Sequence, residues 1–388
     1  MKKQINSKCY VKLFLIIMIL FFLIAPTVFA AEPINVCMTS DFSGSNAANG
    51  IIQKSVIELI VKEVNEIGGI KGRSINLIIQ DNGSDPAKAV GNAKMFKDQY
   101  KCNVILADVT SSVCLGLKKW AETNKIPMIA SFPQSAQLIV ENEKAWFFRT
   151  CAPATMNVET ALSRIKKLGH TKIAFEGTTL AWGTDTLATI KRMAPKYGIQ
   201  VVYEVLSDPK TKDMSIQSKK LQASGVQAMI VADYEAETAV LGRAMAAIGW
   251  KPYVMHTSAV DLNTAMRLAD VKLFEDWEFM SVADESNPVA QKIWNKVEGF
   301  TGRKIPRDQK TLGAYDQINL LLEALKATPN LEDPTAIRDA FYHIDKNYAR
   351  ASGKRGSKGG FTTSHNALIN IEDVVISTVK NGNVTIAK

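Results

Sequence analysis

Two adjacent serines, Ser111 and Ser112, stand where a short apolar run, Val104–Ala107, gives way to a helical stretch with Val113, Leu117, Trp120 and Ala121 on one face. A strand that runs directly into a helix leaves unpaired backbone N–H groups at the helix start, with the positive end of the helix dipole facing outward. Hydroxyls beside those groups suit a carboxylate or another small anion. The same pattern also describes a plain N-cap, in which the serine serves only its own helix. A second apolar run, Pro127–Ala130, ends in the loop Ser131–Gln134, which carries Phe132 and Gln134. Further along, Ser43, Trp182, Tyr234 and Ser258 also fall at expected strand ends. In open α/β sheets, ligands bind beyond the carboxyl ends of the strands. Hydroxyls, amides and aromatic rings suit holding a small molecule better than transforming it.

The chemistry that would argue for an enzyme is missing. The four histidines, His170, His256, His343 and His365, are isolated and none has metal-ligand spacing. There is no Gly-x-Ser-x-Gly elbow, and neither a phosphate-binding loop nor a dinucleotide fingerprint. Asp81, Asp85 and Asp108 lie near strand ends without a matching base or metal, which is the usual place of turn caps. The sequence therefore reads as a binder without a cofactor. Its formal net charge is +9. Lys2, Lys3, Lys8 and Lys12 supply four of these charges, so 9 − 4 leaves +5 on the rest. That excess is spread out, with no aromatic-basic stripe, so nucleic acid is not an expected partner.

The elements that must position these residues follow an α/β grammar. Residues 1–30 read as a cleaved signal peptide: a basic start, the apolar run Leu13–Ile24, and Val28-Phe29-Ala30 as the cleavage signal. No cysteine stands at the cleavage point, so no lipid anchor is expected. Ile34–Thr39, Ser74–Gln80, Val104–Ala107 and Pro127–Ala130 alternate with amphipathic helices, one with Ile52, Val56, Leu59, Ile60, Val64 and Ile67 on its face and a stop at Gly68-Gly69. This reads as a doubly wound parallel sheet. The grammar restarts after Phe147–Thr150, with strands at Lys172–Glu176, Gln200–Val205, Ala228–Ala232 and Tyr253–His256, and runs to Trp277–Val282. A mainly helical part follows, and then strands near Ala367–Ile371 and Val374–Val379. The expected architecture is two doubly wound lobes joined by a three-crossing hinge. Lobe 1 takes 32–150 plus about 283–358, and lobe 2 takes 151–282 plus about 359–388. Cys37, Cys102, Cys114 and Cys151 remain after the signal, and no spacing names a pair. Export permits disulfides, and core thiols fit equally well.

The string NEIGGIKGRSINLIIQDNGSDP at Asn65–Pro86, with Asp41-Phe42-Ser43-Gly44 and Phe148-Arg149-Thr150, resembles the periplasmic solute-binding proteins of branched-chain amino acid (leucine/isoleucine/valine type) ABC importers. The resemblance implies a type I periplasmic binding protein, a monomer that closes on a small-molecule ligand and delivers it to an ABC permease in the inner membrane. An exported sensor presenting its ligand to a receptor is the alternative. By the same resemblance Ser111 binds the ligand carboxylate, with Ser112 beside it and Phe132 and Gln134 contributing. Trp182 and Tyr234 close over the ligand from lobe 2. Asn49 stands where the family commonly has an aromatic residue. Amino-acid binders of the family place an acid after the strand that here ends in Met255-His256. This chain has Thr257-Ser258 there and no acid until Asp261. Either Asp233, Glu235 or Asp108 supplies the charge, or the ligand is a flat carboxylate such as an aromatic acid, or an amide.

Overall fold

The computed structural model describes residues 31–257, 268–363 and 365–387. Five parallel strands form the first sheet: β1 (Ile34–Ser40), β2 (Ile75–Asp81), β3 (Ile105–Ala107), β4 (Met128–Ala130) and β5 (Phe147–Arg149), in the order β2-β1-β3-β4-β5. Its central strands are apolar on both faces because both are covered. Val36, Met38, Leu106 and Ile129 share a core with α1 (Ala47–Glu66). Cys37, Ile105, Ala107 and Met128 pack against α2 (Pro86–Asp98) and α3 (Ser111–Asn124). Gly68 and Gly69, just past α1, take φ of +98° and +75°, the left-handed backbone that lets the chain turn sharply there.

The second sheet has seven strands in the order β12-β11-β10-β9-β8-β6-β7. These are β6 (Lys172–Thr178), β7 (Gln200–Ser207), β8 (Ala228–Ala232), β9 (Tyr253–His256), β10 (Glu278–Ser281), β11 (Val375–Lys380) and β12 (Asn383–Ile386). Strands β6 to β10 pair in parallel, and β11 and β12 close the edge antiparallel. Helices α4 (Ala154–Lys167) and α5 (Ala181–Met193) cover one face, and α6 (Ser215–Ala223) and α7 (Glu235–Ala247) the other. Between β10 and β11 the chain returns to the first core with α8 (Pro288–Thr301), α9 (Gln309–Ala327) and α10 (Pro334–Ala340). The result is two α/β lobes.

Two local features differ from the sequence expectation. Ala367–Ile371 does not form a ladder strand; Ala367 makes one isolated bridge to Arg149, and Ile371–Asp373 is a short 3-10 turn. Side chains satisfy the backbone there instead. The Asn366 amide donates to the carbonyls of Leu138 (2.8 Å) and Phe147 (2.7 Å), and Asn370 and Asp373 cap the turn reciprocally. The hairpin β11–β12 was not anticipated, although its turn, Asn381-Gly382, has positive φ at both residues. Cys37 in β1 and Cys102 after α2 form a disulfide, while Cys114 and Cys151 are free and buried.

Candidate functional site

A cleft pocket of about 410 Å³, counted out to its mouth, opens between the carboxyl ends of the two sheets. Its first-lobe wall is built on the turn from β3 into α3. Asp108, fully buried, accepts from the Thr110 N–H (2.5 Å) and the Asn82 amide (2.7 Å) and so fixes that turn. Burial pushes its carboxyl up to about 6, against the pull of Asn82 and Thr110. Thr110 is the N-cap of α3, but its side chain makes no capping bond. Its hydroxyl instead accepts from the Asn46 amide at 3.1 Å, and Asn46 in turn accepts from the Asn49 amide at 2.5 Å. The first turn of α3 is thus left open at the pocket, where Ser111 lies. The Ser111 hydroxyl accepts the Ser135 N–H at 3.2 Å, which leaves its own proton to donate.

The loop after β4 brings Phe132 and Gln134 to the same wall. Buried Arg149 holds this loop by donating to the carbonyls of Pro133 (3.1 Å) and Ser135 (2.7 Å). Behind the wall, Gln53 and Gln317 reach from α1 and α9 to the Ala107 carbonyl, and Gln317 also donates to that of Ile129. These bonds satisfy sheet ends that would otherwise face the apolar core.

The second-lobe wall comes from the starts of α5 and α7. Trp182 and Tyr234 lie with ring centroids 5.3 Å apart, tilted by 60°. Gly183 lets α5 approach β6 this closely, since a Cβ there would collide with the Thr178 backbone. The Trp182 indole N–H is buried with no acceptor among the described residues. Asp233 and Glu235 flank Tyr234, and Lys310 reaches in from α9. Helices α1, α3, α5 and α7 all lend their first turns to the pocket, and none has a side-chain capping bond. Helix α9 does the same but is capped by Asp308, whereas α2, α8 and α10, which lend it nothing, are capped by Asp85, Asn287 and Asp333. Helices α4 and α6 also lack a capping bond and lie away from the pocket, so what marks the cleft is the meeting there of four positive helix ends.

Contacts also cross between the lobes. The Ser112 hydroxyl accepts the Ala181 N–H at 3.2 Å, so this serine bridges to α5 and is not a lining residue. Asp185 accepts from the Ser135 hydroxyl at 2.8 Å and from the Ala136 N–H. Lys310 pairs with Glu235, both side chains being largely buried.

The sequence profile of the periplasmic binding protein family matches residues 33–382. The chain belongs to that family. Its relatives include Leu/Ile/Val-binding protein homolog 3 of Brucella melitensis, 24% identical over 319 residues that cover 81% of this chain and 84% of the relative. Two solved periplasmic binding proteins share its fold. One is the branched-chain amino acid transporter substrate binding protein LivJ from Streptococcus pneumoniae, in complex with isoleucine, with TM-score 0.77, 17% identity and coverage of 92% of this chain and 99% of that one. The other is an ABC transporter solute binding protein from R. palustris in complex with benzoate, with TM-score 0.74, 17% identity and coverage of 91% and 95%. No helix among the described residues of this periplasmic binding protein is long and apolar enough to cross a membrane.

Asn49, Ser111, Phe132, Gln134, Trp182 and Tyr234 all line one pocket. Ser258 lies outside the described residues. Asp233 and Glu235, raised only as alternative charges, line the pocket as well, while Asp108 is buried beneath it. Asn46 and Lys310 were missed. Asn46 sits three residues before Asn49 at the start of α1, a spacing that puts both on one helical turn. Lys310 had no local signal, because only the return of α9 to the first lobe brings it to the cleft.

Proposed function

We propose that this protein captures a small carboxylate-bearing molecule between its lobes and hands it to an inner-membrane ABC permease. The ligand class comprises branched-chain or other amino acids and aromatic acids or amides. The observation that carries this reading is the open first turn of α3, with Ser111 lining the pocket and no capping bond from the Thr110 side chain. Isoleucine and benzoate, held by two proteins of this fold, have a carboxylate in common. An anion seated there needs no counter-charge, since the helix dipole and short charge-assisted hydrogen bonds stabilise it.

In the open form the first lobe offers this seat, and closure brings Trp182 and Tyr234 over the ligand. The contacts made only in the closed form shift the population toward it. The moving bodies are 32–150 with about 283–358, and 151–282 with about 359–388, turning about three crossings. Residues 1–30 direct export and are removed after Ala30, leaving a monomer in the periplasm. Ser111→Ala removes one charge-assisted bond and lowers affinity by about 5- to 150-fold, or 1–3 kcal/mol. Calorimetry of wild type and Ser111→Ala with a panel of amino acids, aromatic acids and short amides tests the site; equal affinities for the best binder would remove Ser111 from it. Uptake into vesicles carrying the neighbouring permease tests delivery.

A further inference from the structure

Two carboxyls sit together on the second-lobe side of the cleft with no cation beside them among the described residues. Asp233, at the end of β8, is 1% exposed and lines the pocket, and its Oδ2 has no hydrogen-bond partner among the described residues. Its Oδ1 is used locally, accepting the Tyr234 N–H at 2.9 Å. Behind it lies Glu176 of β6, fully buried, with neither carboxyl oxygen bonded in good geometry although Ser207 is adjacent. Neither carboxyl has an ion-pair partner among the described residues. Two buried, unpartnered acids would be a large penalty in a site that had only to hold itself together.

We propose that Asp233 and Glu176 form a two-carboxyl seat for a positively charged nitrogen of the ligand, an ammonium or amidinium, and that seating it expels a proton. This rests on the reading of the cleft as a carboxylate binder, and it makes the ligand a zwitterion held at opposite ends by opposite lobes. The seat is at the end of β8, whereas the family resemblance would place an acid after β9, the neighbouring strand. In the empty pocket the two facing acids hold one proton between them, because burial and mutual repulsion disfavour two charges. The arriving N–H⁺ group donates to the Asp233 carboxylate, and the shared proton leaves for solvent, so that both acids become ionised. Glu237 adds negative potential from α7. Lys310 is taken up by Glu235, the positive end of α7 favours the Asp233 anion, and His256 of β9 is engaged with the Thr238 hydroxyl at 3.2 Å and the Phe279 ring. Release of the proton makes capture weaken as pH falls below neutrality.

The test is calorimetry with the common L-amino acids and, for each that binds, the acid of the same skeleton lacking the amino group, such as 4-methylpentanoate for leucine. Titrations at pH 6.5 in buffers of different ionisation enthalpy count the protons released. The expected result is an amino acid that binds at least about tenfold tighter than its deaminated partner, with proton release in wild type. That preference shrinks to less than about threefold in Asp233→Asn, and Glu176→Gln binds without releasing a proton. The inference is overturned if deaminated acids bind equally well, if no amino acid binds, or if Asp233→Asn keeps the preference. Deaminated acids that bind equally well, yet lose affinity in Ser111→Ala, would sink this inference and leave the carboxylate reading standing. Amino acids that bind with Ser111→Ala unaffected would do the reverse.

Discussion

The carboxylate of Asp185 in α5 accepts a 2.8 Å hydrogen bond from the hydroxyl of Ser135, the residue whose N–H is bonded to Ser111. The pocket residue Ser111, the proposed carboxylate seat, is therefore tied to the second lobe through one serine. Asp185→Ala cuts this tie, together with the bond from the Ala136 N–H. As contacts between the lobes, these charge-assisted bonds are expected to contribute about 1–3 kcal/mol to closure. The expected outcome is a larger radius of gyration for the ligand-saturated variant than for ligand-saturated wild type in small-angle scattering and faster ligand release, with an unchanged circular dichroism spectrum. An unaltered scattering profile and release rate would show that Asp185 does not hold the lobes together.

Trp182 provides a reporter of the same motion. Its indole packs against Tyr234 across 5.3 Å and keeps a buried, unbonded N–H beside the pocket. A ligand acceptor reaching that N–H would change the surroundings of the ring. Trp182→Phe keeps most of the apolar area and deletes the donor, so affinity falls by about 3- to 15-fold. The ligand-dependent change in tryptophan emission is largely lost in the variant. If the change persists in full, another tryptophan reports closure and Trp182 is not at the ligand.

The Cys37–Cys102 disulfide closes a 65-residue separation inside the first lobe. In the chain-entropy account, a loop of that length restricts the unfolded state by about 4 kcal/mol. The Cys37→Ala/Cys102→Ala double variant is expected to unfold at a lower denaturant midpoint, by about 2–4 kcal/mol. Both sulfurs are buried, so native protein resists mild reductant, and only protein unfolded in its presence refolds to the weaker state. Reversible unfolding followed in urea, with and without reductant, checks both statements; identical midpoints would show that the crosslink adds nothing.

The sequence was most legible where function depends on local grammar. A strand ending in Ser-Ser, a loop after the next strand, and aromatic residues opening two later helices were enough to find five residues that line one pocket, and the family resemblance added Asn49. What could not be read was whatever the tertiary path brings together. Whether Ser111 merely serves a helix cap is decided by Thr110, whose hydroxyl is spent on Asn46 of another helix 64 positions away. The Cys37–Cys102 pair and the arrival of Lys310 have the same character, since neither spacing nor composition encodes a long-range crossing. Asn381-Gly382 is different: the dipeptide is a strong hairpin signal, and it was legible but passed over. Near Ala367 an apolar run resembles a strand, yet Asn366 and Asp373 supply side-chain partners that make a ladder unnecessary.

The buried acids behind the pocket give the stability of the empty protein a measurable pH signature. Burial raises the proton affinity of Glu176 above its ordinary value of 4.5, and Glu237 adds to the rise against the pull of Ser207 and Asp233. A group raised in the folded state keeps its proton after the unfolded chain has released its own. Its contribution to stability is therefore full below pH 4.5 and declines as pH climbs from there toward neutrality. Glu176→Gln keeps the shape, cannot ionise, and offers an amide to the unpartnered oxygen of Asp233. Relative to wild type, the ligand-free variant should gain stability steadily between about pH 5 and 8, reaching on the order of 1–3 kcal/mol. Asp108 and Asp316, each lifted to about 6 by burial, tilt the curve in the same direction but are present in both proteins. The difference between the two melting curves therefore removes Asp108 and Asp316 and reports the Glu176–Asp233 pair, and thermal unfolding across that range measures it. Parallel curves would mean that Glu176 ionises as freely in the fold as in the unfolded chain.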